Sequence, residues 1–449
     1  MNLSELQSQL NRIGLQPSRK LGQNFLVDEN VSAWIVDQIR AGEDDVVVEV
    51  GPGFGALTEQ LAGKVRRLIL IERDGRLARF LREKFGSHPG VEVVHGDAVE
   101  YDVRPLFREG RVKLIGSLPY SAGNEILRRF LDAPSPVSSA VVMLQKEVGL
   151  RLCAEPRSKS YGVLGLIWQS RRKISHLKTV GPTLFYPRPE VDSSVIRFDP
   201  RPEDELPFHC PEVFASVVKR GFSQRRKQLH NNLNPDVGKW AEICQSMGIN
   251  QSVRAEELSL ADWVTLSNLI EPHPCSKLGS SAEEMLEIVD ENDVVIGQMK
   301  RNEIHAAKHL HRAVHVFLTT SNGEIFLQKR SGIKDTHPGK WDSSASGHVD
   351  PGENYPRCAE RELWEELWVK PKSQLTRVAR LDACDETDQE FIEVFQGEAK
   401  GKIRVFGSEV HSGGYFPIDQ VEKWILQRPE DFASGFRACF GSWRKGPRK

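Results

Sequence analysis

Three glutamates, Glu362, Glu365 and Glu366, stand at i, i+3 and i+4 within ENYPRCAERELWEELW, and on a helix that spacing gathers their carboxylates on one face. Held so close they repel one another unless cations lie between them. Hard oxygen donors of this kind suit Mg²⁺, which bridges readily to substrate phosphates. A second grouping lies nearer the N-terminus. Gly51, Gly53 and Gly55 in EVGPGFGAL directly follow an apolar run, Glu72 ends the next run (LILIE), and Asp97 ends the third (VVHGD). The glycines allow a sharp turn and a close backbone approach to a ligand at the carboxyl end of a sheet. Glu72 can there accept both hydroxyls of a ribose, and Asp97 can reach an adenine amine. One acid at a strand end is ordinary solvated surface; three consecutive strand ends carrying suited groups point to a nucleoside-bearing ligand.

These residues need elements to hold them. From Val46 onward short apolar strands (VVVEV, RLILIE, VEVVHGD, VKLIGSL, SSAVVML) alternate with helical patterns (ALTEQLAGK, GRLARFLREKF, NEILRRFL). That rhythm predicts an α/β fold, a doubly wound parallel sheet with helices on both faces, over residues 1–200. VDSSVIRF reads as a late edge strand. After RPEDELP the pattern turns helical through PEVFASVVKRGFSQRRKQLHNNL, KWAEICQSMG and SLADWVTLSNLI, which predicts a small helical domain over 205–270. Residues 271–283, rich in Pro, Ser and Gly, read as a linker. LEIVDENDVVIGQM, RAVHVFLTT and EIFLQKR read as strands of an α+β domain over 284–440, with the glutamate helix inside it. No internal repeat is present.

Composition bounds the function. A chain of 449 residues exceeds one ordinary core, and a formal net charge of -1 gives no global basic signal, so any nucleic-acid contact must come from local patches. Candidates are Arg19 with Lys20, Arg171 to Lys173, Lys219 with Arg220, and Arg225 to Lys227. An N-terminus without a signal-type apolar core and the lack of a membrane-length apolar run predict a cytoplasmic protein with no membrane partner. Seven cysteines without a C-x-x-C pair predict reduced, packing thiols.

RKLGQNFLVDEN, EVGPGFGALT, GSLPY, MLQKEVGLRL, FYPRPEVDSSV and GFSQRRKQL, in that order and spacing, closely resemble the small-subunit ribosomal RNA adenine dimethyltransferases of the KsgA family. The resemblance covers about residues 15 to 270. It implies an S-adenosylmethionine (SAM) methyltransferase sheet, dimethylation of adenine N6 amines in 16S-type RNA during ribosome biogenesis, and the small ribosomal subunit RNA as partner. Position by position it assigns cofactor contacts to Gln23, Asn24, Leu26, Gly51, Glu72, Asp97 and Ser117. It gives the corner Ser117-Leu118-Pro119-Tyr120 a task. An exocyclic amine is a poor nucleophile, so a useful site accepts hydrogen bonds from its protons and holds the nitrogen in line with the sulfonium methyl. Pro119 stiffens the corner and leaves the Leu118 carbonyl to face the amine. Tyr120 and Phe185 are expected to sandwich a base drawn out of its stack.

Ser117 departs from the family, which usually has Asn here. A Ser hydroxyl is shorter and both donates and accepts. The Leu118 carbonyl with a Ser117 hydroxyl or a bridging water can suffice; or the rate is reduced; or the domain binds RNA and SAM as an assembly factor with little transfer. With every other motif intact, a working methyltransferase is the favoured reading. An enzyme of the erythromycin-resistance type is disfavoured by RKLGQNFL and GFSQRRKQL, and a structural adaptor with two dead enzymes by the intact acids in both halves.

GHVDPGENYPRCAERELWEELWV is similar to the Nudix box, G-x5-E-x7-R-E-U-x-E-E-x-G-U, with Trp368 in place of the last glycine. An acidic helix face alone does not predict Gly347, Glu353 and Arg361 at their offsets. The resemblance implies Mg²⁺-dependent attack of water on a small-molecule diphosphate. It makes Glu362, Glu365 and Glu366 metal ligands, with the base among them (Glu362 or Glu366), Glu353 a further metal contact, and Arg361 an orienting residue. Trp368 is expected at the helix end, where a left-handed residue is needed. LHRAVHVF and KDTHPGKWDSSASGHV resemble the isopentenyl-diphosphate isomerase branch, in which His311, His348 and Glu390 can correspond to metal contacts, although a histidine on a strand is more often a simple structural donor. That branch carries a catalytic cysteine before its Gly-His pair and this chain does not, so hydrolysis is favoured over isomerisation.

Overall fold

The computed structural model describes residues 2–18, 22–119, 122–277 and 284–446. The chain forms two compact units: one from Met1–Glu205, Phe222–Gln228 and Val253–Leu260, the other from Leu206–Gly221, Leu229–Ser252 and Ala261–Lys449.

The first unit is built on a seven-stranded sheet. Its strands are β1 (Val46–Val50), β2 (Arg67–Glu72), β3 (Val91–His95), β4 (Val112–Ser117), β5 (Val137–Gln145), β6 (Arg172–Val180) and β7 (Ser193–Pro200), in the order β3-β2-β1-β4-β5-β7-β6. The first five run parallel, and β7 is antiparallel to both of its neighbours. All five residues of β1 are buried, as a central strand covered on both faces requires. Val47, Leu68, Leu70, Ile115 and Val141 pack on one face, while Val46, Val48, Ile69, Leu114 and Val142 pack on the other. VDSSVIRF is therefore an interior strand, not an edge. The edge is β6, which the sequence hides because most of its residues are exposed or half-exposed. Helix α1 (Gly123–Leu131) follows the Pro119 corner, whose carbonyl accepts from the Ala122 N–H at 3.1 Å.

The helical stretch differs from expectation. PEVFASVVKRGFSQRRKQLHNNL breaks into helices Pro211–Gly221 and Leu229–Leu233, and residues 222–228 between them belong to the first unit. Arg225 explains this: it pairs with Glu256 at 2.7 Å and donates to the carbonyls of Lys159 and Ser158 at 2.7 and 2.9 Å.

In the second unit β8 (His311–Leu318), β11 (Ala345–His348), β12 (Thr376–Leu381) and β13 (Glu390–Gly397) form a sheet in the order β11-β8-β13-β12. A three-stranded sheet has the order β10-β9-β14, from β9 (Glu324–Arg330), β10 (Trp341–Asp342) and β14 (Val410–Pro417). Helix α2 (Tyr355–Leu367) starts on an Asn354 cap and buries Cys358, Ala359, Leu363 and Leu367 against Val314, Val316 and Ala345. The acids occupy the adjoining stripe, where Glu362 and Glu366 are themselves buried. Part of the expected linker is packed: His273 is 1% exposed, stacks on Phe406 and meets the edge of Trp368, and the Cys275 thiol donates to the Glu365 carbonyl. Residues 278–283 lie outside the described residues.

Two candidate active sites

In the first unit the parallel strands deliver their carboxyl ends to one cavity, lined by Gln23, Asn24, Gly51, Glu72, Asp97, Ser117 and Pro119 among others. Gly51 turns the chain off β1 with φ +68°, and a β-carbon there would stand 2.9 Å from the Ser117 carbonyl oxygen. Only glycine permits that approach. Glu72 is held at both oxygens, by the Gly53 N–H at 3.2 Å and the Asp74 N–H at 2.8 Å. Burial nevertheless dominates and pushes its carboxyl up to about 7. Asp97 accepts the Val99 N–H at 3.0 Å and faces Arg73 at 3.4 Å. Gln23 accepts from the Ser18 N–H and donates to Asp74, so Asp74, absent from the expected set, holds Gln23 in the cavity wall. Its one sequence signal is its place two residues after Glu72. A half-ionised carboxylate beside a glycine cradle, with backbone donors already in place, fits a ribose-bearing cofactor.

Two expected residues sit elsewhere. Leu26 and Phe185 are cross-strand partners, 9% and 6% exposed, and pack in the apolar core without lining the cavity. The hydrophobic effect explains both, since an aromatic beside a strand has more apolar area to bury in the core than on a rim. Phe185 thus lies beside Leu26 in the core and not on the cavity wall. The Leu118 side chain is core, 2% exposed, with its N–H on the Met143 carbonyl, while its own carbonyl, the expected amine acceptor, lies between Ser117 and Pro119, both of which line the cavity. Tyr120, Arg19 and Lys20 lie outside the described residues. Of the basic clusters, Arg171 pairs with Asp132, Lys173 pairs with Glu205, and Arg172 is buried on the Val137 and Ser138 carbonyls. They hold the sheet edge together. Lys219, Arg220, Arg226 and Lys227 are exposed and make no ion pair among the described residues.

In the second unit Gly347 lies beneath Glu362, where a β-carbon would fall 2.1 Å from Oε1. Arg361 fans out to Glu353 at 3.0 Å, Glu362 at 2.7 Å, Glu365 at 3.0 Å and the His348 carbonyl at 2.8 Å. Glu366 Oε2 accepts from Gln328 Nε2 and from the Ser346 N–H, both at 3.1 Å. Burial, reinforced by Glu366 and Glu365, raises Glu362 well above the carboxylate range, and burial lifts Glu366 to about 7. Buried oxygens that repel one another and hold protons this tightly fit a hard divalent cation, which replaces those protons. All three acids open on a cavity of about 550 Å³.

His305 and His348 line the same cavity, and His311 stands beside them, the ring nitrogens of the three lying within 4.8 Å of one another. Glu390 stands 3.2 Å from His348 Nε2 and 3.5 Å from His311 Nε2. Burial holds His348 down to about 4; burial pushes Glu390 up, but the His348 hydrogen bond and the His311 ring beside it outweigh that and keep the carboxyl below its usual range. His305 Nε2 and His311 Nε2 are buried without a hydrogen-bond partner. Imidazoles with unpartnered nitrogens beside a carboxylate form a donor set for a cation such as Zn²⁺ or Mn²⁺. His305, on a separate helix (Arg301–Ala307), carried no sequence signal.

The ribosomal RNA adenine dimethylase profile matches residues 14–272, more than half of the chain. The chain belongs to the ribosomal RNA adenine dimethylase family. A NUDIX domain profile matches residues 309–435, so this dimethylase-family chain is a fusion. It is 42% identical over 262 residues to the ribosomal RNA small subunit methyltransferase A of Geobacter metallireducens, covering 57% of this chain and 95% of that one. The protein of the same name from Chlorobium phaeobacteroides is 39% identical over 257 residues, covering 57% and 94%. Among solved structures, the 23S rRNA methyltransferase ErmE aligns at 27% identity and a TM-score of 0.47, over 55% of this chain and all of that one. Among the described residues no helix is long and apolar enough to cross a membrane.

Proposed function

We propose that the first unit transfers methyl groups from SAM to the N6 amines of adenines in small-subunit ribosomal RNA, giving the dimethylated base. The observation that carries this reading is the convergence of Gly51, Glu72, Asp97 and Ser117 on one cavity. Glu72 and Asp97 would hold the nucleoside part of the cofactor, which when bound supplies an electrophilic methyl on sulfur. Ser117 and Pro119 stand at the mouth of the same cavity, where a hydroxyl can accept an amine proton and a fixed turn can orient the attacking nitrogen. Arg226 and Lys227, which belong to this unit, offer unneutralised charge for RNA phosphates, which positions the RNA while the pocket selects the base. Labelled SAM and small ribosomal subunits lacking the modification test this: incorporation into adenine is expected. SAM binding without incorporation would instead favour an assembly factor.

The second unit we read as a hydrolase of small organic or nucleoside diphosphates. Glu362, Glu365 and Glu366 would hold Mg²⁺, which when bound neutralises the diphosphate and acidifies water. Arg361 keeps Glu362 and Glu365 in place, and Glu366 is the base candidate because the Gln328 and Ser346 donors fix its orientation. Ser346 fills the place before Gly347-His348 where an isomerase needs a thiol, which supports hydrolysis. Phosphate release from a diphosphate panel, lost in Glu366→Gln, is the expected result; an inactive wild-type chain across that panel would defeat the reading.

A further inference from the structure

His315 lies in the middle of β8, 5% exposed, and lines the same cavity as the three glutamates. Its Nδ1 stands 2.5 Å from Ser343 Oγ. Ser343 is fully buried, and among the described residues its hydroxyl meets no other hydrogen-bond acceptor. A buried hydroxyl that cannot donate loses a hydrogen bond in full, so Ser343 must give its proton to Nδ1. The ring proton then resides on Nε2. The support behind Ser343 is rigid: its N–H donates to Asp342 Oδ1 at 2.8 Å, and Asp342 Oδ2 accepts from Arg330 at 3.1 Å. Asp342 Oδ1 is 3.8 Å from Nδ1, beyond hydrogen-bond reach, so it does not compete for the ring.

Nε2 has no protein partner among the described residues. It points toward Gly435, another lining residue, where even a β-carbon would stand 3.5 Å away. The cross-strand partner of His315 is Ser346, whose N–H holds Glu366. A fixed N–H donor therefore opens into the cavity one strand away from the candidate base.

We propose that His315 is a substrate-contacting residue of this site, locked by Ser343 as the Nε2–H tautomer so that it donates to a phosphoryl oxygen of the bound diphosphate. This rests on reading the cavity as a diphosphate site. A donor of fixed direction suits a cavity in which Arg330 and Lys334 are already committed to Asp342 and Glu409. It selects for an oxygen acceptor.

The test uses the full chain with ¹⁵N-labelled histidine and the non-hydrolysable probe methylenediphosphonate with Mg²⁺. The His315 signal is expected to show the Nε2–H tautomer, with that proton moving downfield on addition of the probe. His315→Gln should weaken probe binding roughly tenfold, the loss of one hydrogen bond to a charged group. Ser343→Ala, a smaller side chain that the fold tolerates, should leave a mixture of tautomers and a smaller loss. An Nδ1–H tautomer in the wild type overturns the proposal, as does unchanged affinity in His315→Gln while the wild type binds. A wild-type chain that binds no probe at saturating Mg²⁺ defeats the diphosphate reading itself, and the inference with it.

Discussion

Gly347 and Glu362 are packed so closely that the glycine's missing side chain is what makes room for the carboxylate: a β-carbon would fall 2.1 Å from Oε1 and 2.2 Å from Cδ. The backbone of β11 cannot move aside, because Gly347 pairs with Val314 across the sheet. Gly347→Ala must therefore displace Glu362, not the strand. Misplacing a reacting group by about 1 Å costs about a hundredfold in rate. We expect Mg²⁺-dependent phosphate release to fall by about that factor while methyl transfer by the same preparation is unchanged. Full hydrolase activity in the variant would show that Glu362 has no part in the reaction.

Ser117 ends β4 with its side chain on the cofactor cavity. An Asn there places a carbonyl acceptor farther into the cavity and has no hydroxyl proton to misdirect. One amine acceptor gained is worth about 1 to 3 kcal/mol, so Ser117→Asn should raise single-turnover methyl transfer by about tenfold with little change in SAM affinity. A slower or equal rate would mean that the serine, directly or through water, already supplies what the amine needs.

The parts of both sites legible in the sequence are those set by local geometry. The i, i+3, i+4 spacing of Glu362, Glu365 and Glu366 fixes a shared helix face before any tertiary contact forms, and a strand end followed by Gly51 fixes a cofactor turn. What required the fold is long-range. Phe185 reads as a stacking platform through its motif, and only its strand pairing with Leu26 shows it packed in the core. Arg171 and Lys173 read as phosphate contacts because a charge run does not reveal that Asp132 and Glu205 are its partners. The edge strand β6 alternates too weakly to announce itself. His305 and Ser343 join their sites from separate elements, and no spacing in the chain foretells either.

Glu72 gives cofactor binding a pH dependence. Its carboxyl rises from an ordinary 4.5 to about 7 in the folded chain, chiefly by burial. The folded state thus holds this proton more tightly than the unfolded one, so the group's contribution to stability is complete below about pH 4.5 and is lost as pH rises through 7. A cofactor ribose needs the ionised form as acceptor, so SAM must displace the proton below that point. Its affinity should weaken by up to about tenfold per pH unit under pH 7 and level off above it. Calorimetric titration between pH 5.5 and 8.5 reads this directly, and a flat profile would mean that Glu72 is not a ribose acceptor.

Trp368 occupies the left-handed residue that closes α2, at φ +51°, where the Nudix box has glycine. The conformation costs a non-glycine residue about 1 kcal/mol. Against that, its ring meets the edge of His273 at 5.1 Å and carries the Arg404 guanidinium at 4.8 Å. Those contacts are worth about 0.5–1.5 and 0.5–1 kcal/mol, before the apolar area of the indole is counted. Packing therefore outweighs strain. Trp368→Gly should restore the box yet destabilise the second unit by about 1 to 2 kcal/mol, seen as an earlier unfolding transition on chemical denaturation. The glutamates, which lie on the turns before it, should keep their Mg²⁺ affinity. A variant more stable than wild type would show instead that backbone strain is the larger effect and that the His273 and Arg404 contacts contribute little.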